Sequence, residues 1–200
     1  MKLRRGFYTR ADVLTLARAL LGKRLVVPSD EGARVSGRIV ETEAYLGAED
    51  KAAHSYRNRR TARTETMFAV GGTAYVFFVY GMHWHVNLVT TRAGAPHAVL
   101  IRAIEPLEGL ELMAARRGVA ETSASLTNGP GKVCQAFGIG AERYGVDLCR
   151  GPLVLIDGPR GRIGRSPRIG VDYAGEWAAR PWRFFERENR YVSRPRGVTS

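Results

Sequence analysis

Cysteine is almost absent from this chain of 200 residues, which carries Cys134 and Cys149 and no others. Two thiols make neither a disulfide framework nor the paired ligands of a structural zinc site, so a reduced, cytoplasmic setting is expected. Long hydrophobic runs are missing too. No stretch approaches the roughly 20 apolar residues of a membrane span, and no membrane partner is expected. The leucines of MKLRRGFYTRADVLTLARALLGKRL are interrupted by Arg18 and lack a small-residue cleavage site, so the segment reads as an amphipathic helix, not a targeting signal. Negative charge is in short supply: 19 acidic residues stand against 31 basic ones, for a formal net charge of +12 and a pI near 10.4. Lysine is scarce as well, since 27 of those 31 basic residues are arginine. Guanidinium forks grip phosphate oxygens in pairs and stack on bases, so nucleic acid is the partner this charge favours.

Several catalytic templates are also missing. There is no Gly-rich phosphate loop of Walker or Rossmann form, no Gly-x-Ser-x-Gly elbow and no His-x-Glu with a later Pro-Cys-x-x-Cys. His83-Trp84-His85 offers two imidazoles on one strand face, but no carboxylate follows at ligand spacing, so packing or stacking is the better reading and no metal is expected.

What is present suits one domain over residues 1–200. Thr9 with Asp12 resembles a capping box, and Val13, Leu14, Ala17, Leu20 and Leu21 repeat at helical spacing up to Gly22. Strands are predicted over 24–27 and 35–46, separated by the turn residues PSDEG at 28–32. From Gly47 to Met67 runs a long basic loop, of the kind that is usually functional. Runs 73–80 and 83–90 read as a hairpin turning at Tyr80-Gly81-Met82. A further strand over 98–104 is ended by Pro106, with helices over 107–117 and 132–137 and a basic, Pro-containing tail from about Arg180. Gly129 and Gly131 read as turn residues. Strands outnumber helices without βαβ alternation, which predicts an α+β fold: a curved, mostly antiparallel sheet, a protruding hairpin and surrounding helices.

The strand RIVETEAYL carries the chemistry. Alternation puts Ile39, Glu41, Glu43 and Tyr45 on one face and Val40, Thr42, Ala44 and Leu46 on the other, the second set being the expected core face. Arg102, inside the apolar run AVLIRAIEP, must lie at a sheet edge or be buried against a carboxylate, with Glu41 or Glu43 as its natural partner. A carboxylate beside arginine stays ionised and can activate water.

The blocks GRIVETEAYLGAEDKAAHS, MFAVGGTAYVFFVYGMHWHVN, AVLIRAIEPLEGLE, NGPGKVCQAFGI and RIGVDYAGEWAARPWRFF, in that order from Phe7 to about Val192, resemble the alkyladenine (3-methyladenine) DNA glycosylase family of base-excision repair. The resemblance implies a monofunctional, cofactor-free, monomeric enzyme of the nucleoid that flips a damaged purine out of double-stranded DNA and hydrolyses its N-glycosidic bond. It implies that Glu43 is the general base for water, with Arg102 and the backbone carbonyl of Ile169 helping to hold it. Tyr45 would form one wall of the base pocket and His54 with Phe77 the other, Phe77 and the Tyr45 of a neighbouring strand sandwiching the base. Asn87 would disfavour normal guanine through its 2-amino group. Tyr80, with Met82 beside it, would be the wedge pushed into the vacated stack, and Arg59, Thr61, Arg63 and Met67 would contact the DNA strand.

That chemistry needs only one carboxylate. A purine alkylated at N3 or N7 is cationic and leaves readily, whereas sugar glycosidases need a second carboxyl to protonate the leaving oxygen. Lys132, following a turn, argues against a Schiff-base lyase step. The alternatives are a non-catalytic module binding distorted or damaged DNA and a metal-dependent phosphodiester enzyme using Glu41, Glu43 and His54.

Overall fold

A computed structural model describes residues 1–28 and 32–193. The middle of the PSDEG turn and the last residues of the basic tail lie outside the described residues. The chain opens with a short helix α1 (Arg5–Thr9) that the sequence patterning does not announce, then α2 (Val13–Leu20). The cap of α2 is Asp12, whose carboxylate accepts from the Thr15 amide, while Thr9 belongs to α1. The predicted Thr9 capping box is thereby corrected.

Eight strands build one antiparallel sheet: β1 (Arg24–Pro28), β2 (Arg34–Tyr45), β3 (Ala74–Val79), β4 (His83–Thr90), β5 (His97–Glu108), β6 (Val154–Ile156), β7 (Ile163–Ser166) and β8 (Arg183–Glu186). Their main order is β3-β4-β5-β2-β1-β6. β2 has β5 along one edge; on its other edge it pairs first with β1 and then, over Glu41–Glu43, with β8. Helices α2, α3 (Leu110–Arg117) and α4 (Pro130–Phe137) cover the main core, where Val13, Ala17 and Leu20 meet Ile39, Ala44, Ile101, Ile104, Met113 and Phe137. The fold is thus α+β with a curled antiparallel sheet, and among the described residues no helix is long and apolar enough to cross a membrane.

Four expectations need correction. β5 continues through Pro106, because there it pairs only with β2 and an irregular register lets Leu107 bulge out, the setting in which a strand tolerates a missing N–H. The 47–67 loop is organised by three short 3₁₀ turns, Gly47–Glu49, Tyr56–Asn58 and Glu65–Phe68. Residues 183–186 of the supposed tail are sheet, with Arg183 and Glu186 buried. Gly131 lies within α4, where a Cβ would come within 3.0 Å of the His83 ring; its bare backbone lets the helix support the hairpin.

The most consequential irregularity is a pair of facing bulges. Ile39 pairs with Ile104 and Glu41 with Ala103, leaving Val40 extra on β2; Thr42 then pairs with Ile101, leaving Arg102 extra on β5. An extra residue reverses the alternation beyond it. Ile39 therefore shares the main core with Ala44 instead of lying on the face of Glu41 and Glu43. The same slip on β5 turns Arg102 towards both carboxylates.

Candidate active site

Glu43 is fully buried at the centre of this irregularity. Its Oε1 accepts from the Ile169 amide at 2.8 Å and lies 3.3 Å from Arg102 Nη1, while Oε2 accepts from the Tyr45 hydroxyl at 2.9 Å. The Ile169 contact to this carboxylate is thus made by the backbone N–H, a donor, and not by the carbonyl, which a carboxylate would repel. Glu41, two residues earlier, is engaged more heavily. It takes Arg102 Nε at 3.0 Å, Arg183 Nε at 2.6 Å, and the amide and hydroxyl of Ser193 at 2.6 and 2.7 Å. Arg102, only 7% exposed, bridges the two carboxylates. Its burial raises no paradox, since two anions offset the desolvation of one cation.

Beside Glu43 opens a cavity of about 110 Å³. Tyr45, Arg102 and Ile169 line it and Glu43 stands directly behind them, so the carboxylate is one layer back from the open space. The opposite wall is aromatic. Phe77 stacks on Tyr75 with centroids 5.2 Å apart, and the His54 ring meets Phe77 edge-on at 4.6 Å. Tyr45 is not on a strand neighbouring Phe77: β4 and β5 lie between, and the curl of the sheet brings both rings to one cavity.

Burial depresses His54 to about 4, helped by Arg63 and Arg59; His85 is also lowered to about 4, first by burial and then by Arg102. Both imidazoles are therefore neutral near pH 7. His54 Nδ1 shares a hydrogen bond of 2.9 Å with the Tyr75 hydroxyl, which burial pushes up to about 12. Tyr45 is raised well above its ordinary value by burial and then by the Glu43 charge, so it remains a protonated donor.

The other sequence-predicted residues fall around this centre. Asn87 lines the cavity from β4. Arg59, Thr61 and Arg63 line an adjoining basic groove with Lys51, and that groove shares His54 with the cavity. Met67 departs from the expected strand contact: at 2% exposure it packs with Tyr75 and Phe77 as part of the cavity wall. The hairpin tip is the reverse, with Tyr80 76% and Met82 67% exposed. Tyr80 and Gly81 both have positive φ, and the Met82 amide closes on the Val79 carbonyl at 3.2 Å, the backbone of a type I′ turn. A tyrosine in that conformation carries about 1 kcal/mol of strain.

Sequence reasoning passes over Tyr75, His85, Tyr173 and the pair Asp50–Arg168. The first two were within reach: a turn at 80–82 sets Phe77 opposite His85 and Tyr75 opposite Asn87, on the face already assigned to the cavity. Arg168 donates to both Asp50 oxygens, at 2.5 and 2.9 Å, and its guanidinium lies 4.7 Å over the Tyr45 ring, bracing that wall. Among the described residues no three His, Cys, Asp or Glu side chains gather as a metal set would.

A family model described as methylpurine-DNA glycosylase matches residues 6–190. The chain is 49% identical to a protein of Desulfitobacterium hafniense, covering 96% of this chain and 98% of that one, and 50% identical to one of Methanocella arvoryzae, covering 96% of each. A third relative, from Bacillus cytotoxicus, is 45% identical over 97% of this chain and its own full length. All three bear the provisional name 3-methyladenine DNA glycosylase.

Proposed function

The chain belongs to the methylpurine-DNA glycosylase family, and from that premise we propose that it turns an alkylated purine out of duplex DNA and hydrolyses its N-glycosidic bond with a Glu43-activated water. It is a DNA glycosylase for alkylated bases, a hydrolase of N-glycosyl bonds. The observation that carries the mechanism is the donor set of Glu43, which fixes the carboxylate behind the cavity wall. The Tyr45 hydroxyl covers Oε2. A purine stacking on the Tyr45 ring displaces that hydroxyl, and a water takes its place, bound to Glu43 and aimed at the sugar carbon.

The rings suit a cationic guest. Electron-rich faces of Tyr45, Phe77 and Tyr75 attract an alkylated purine by cation–π contact, and neutral His54 and His85 do not repel it. Asn87 stands in the cavity to exclude the 2-amino group of unmodified guanine. Tyr80 and Met82 fill the gap left in the stack, replacing part of the few kcal/mol lost per unstacked step. Arg59, Thr61 and Arg63 hold the strand by its phosphates. The enzyme works as a monomer on cytoplasmic DNA, without a cofactor.

A panel of duplexes with one defined lesion each tests this reading. The parent releases free base, and Glu43→Gln is slower by about 10²- to 10⁴-fold, the weight of a general base. Release at the parental rate by the variant overturns the assignment; tight binding without release by the parent makes the protein a binding module.

A further inference from the structure

Two carboxylates share one buried guanidinium, yet the proposed chemistry uses only one of them. Glu41 has no access to the cavity and its oxygens already accept from four donors, so it cannot move a proton or hold the reacting water. Its effect must pass through Arg102. The guanidinium gives its Nε to Glu41 at 3.0 Å and only a looser Nη1 approach, 3.3 Å, to Glu43. The guanidinium charge is thus divided between the two carboxylates, with the closer contact on Glu41.

We propose that Glu41 is a positioning residue that holds Arg102 at a set distance from Glu43, so that Glu43 takes only part of the guanidinium charge and can hold the reacting water. Three features support this. The facing bulges at Val40 and Arg102 exist at the one place where they put the guanidinium between the two carboxylates. Arg183 and Ser193 clamp Glu41 from the far side, so it cannot swing to follow Arg102. Arg183 is itself fixed, donating to the Ser193 carbonyl at 2.6 Å and the Ser166 hydroxyl at 3.0 Å.

The inference rests on the reading of Glu43 as the base, and it makes two predictions of opposite sign. In Glu41→Gln the whole Arg102 charge turns to Glu43. Single-turnover base release then falls about tenfold, short of the loss of a whole general base, and the acid limb of the pH–rate profile moves to lower pH. In Ser193→Ala, Glu41 loses its hydroxyl donor and Arg102 Nη2 loses its acceptor at 3.4 Å, so the guanidinium closes on Glu41, loosens its hold on Glu43 and moves the limb to higher pH. The other groups facing this centre, namely Tyr45, Arg168 with Asp50, Arg183, His85 and Tyr173, are the same in both variants.

Affinity for duplex holding an abasic analogue stays within about twofold, and rates are taken per active site so that lost folding does not count. A purely structural Glu41 lowers melting and leaves the limb where it was, which overturns the proposal. Should Glu41→Gln fail to fold, Ser193→Ala decides alone: an upward displacement supports the proposal and a fixed limb ends it. If Glu43→Gln retains parental activity, the function reading has failed; if Glu43→Gln is inactive while both limbs stay put, only this inference has.

Discussion

The tip of the β3–β4 hairpin and the charge cluster on β2 break the same rule in opposite directions. At the tip, apolar rings stand in water, Tyr80 76% exposed on a left-handed backbone. In the cluster, Glu41, Glu43 and Arg102 are shut away from water. The tip residues touch little and can be lost without harm to the fold, so their reason lies outside the molecule. The buried charges compensate one another, with Arg183, Ser193, Tyr45 and the Ile169 amide completing their partners, so a single deletion disturbs function and stability together. An exposed ring is a tool held out; a buried charge is a part fixed in place.

The sharpest way to break this contrast is Arg102→Met, which leaves buried Glu43 without its ion pair and Glu41 with Arg183 as its remaining cation. Unfolding free energy should fall by about 3–5 kcal/mol, read from denaturant midpoints, with base release lost. Tyr80→Ala should do the reverse: stability within about 0.5 kcal/mol of the parent, but excision from intact duplex down by roughly tenfold or more, and much less on a mismatch that is already loose. Equal loss on both substrates removes the wedge from the account.

Between the two extremes lies the cavity wall. His54 and His85 are held down to about 4 from an ordinary 6.5, so the unfolded chain takes up protons on them before the folded chain does. Stability therefore falls as pH drops from about 6.5 towards 4, and these groups add no slope above that window. Replacing both with Asn should flatten the fall by on the order of 2 kcal/mol per histidine between pH 7 and 4.5, measured by urea midpoints. The smallest expected effect is at the groove: Arg59→Gln should lower the slope of log affinity against log salt by about 0.9, one phosphate's worth, and leave stability alone.

The hairpin was legible because its signal is local. Aromatic and β-branched runs around Tyr80-Gly81-Met82 fix both turn and register, and with them the placing of Phe77 and Asn87. Glu43 and Tyr45 were legible as i, i+2 neighbours on a strand, and the Tyr45–Glu43 hydrogen bond spans that spacing. Ile39 was misplaced because alternation assumes an unbroken pleat, and nothing in RIVETEAYL announces the extra Val40. Met67 carries a DNA contact only through the family resemblance, whereas a 3₁₀ turn packs it against Tyr75 and Phe77, a burial that no periodicity of the loop announces. The pairing of Glu41 with Arg183 and Ser193 joins residues well over a hundred positions apart and leaves no periodic trace.

That last pairing also orders events at the ribosome. Glu41 emerges early, but Arg183 and Ser193, which clamp it, arrive more than a hundred residues later. Until then the middle of β2 has no β8 beside it and its carboxylates must stay hydrated, so Arg102 has no settled position between them. The hairpin and its rings are thus synthesised before the residues that enclose the Glu41–Arg102–Glu43 cluster. Assembly of that cluster is thereby deferred until β8 and Ser193 have followed.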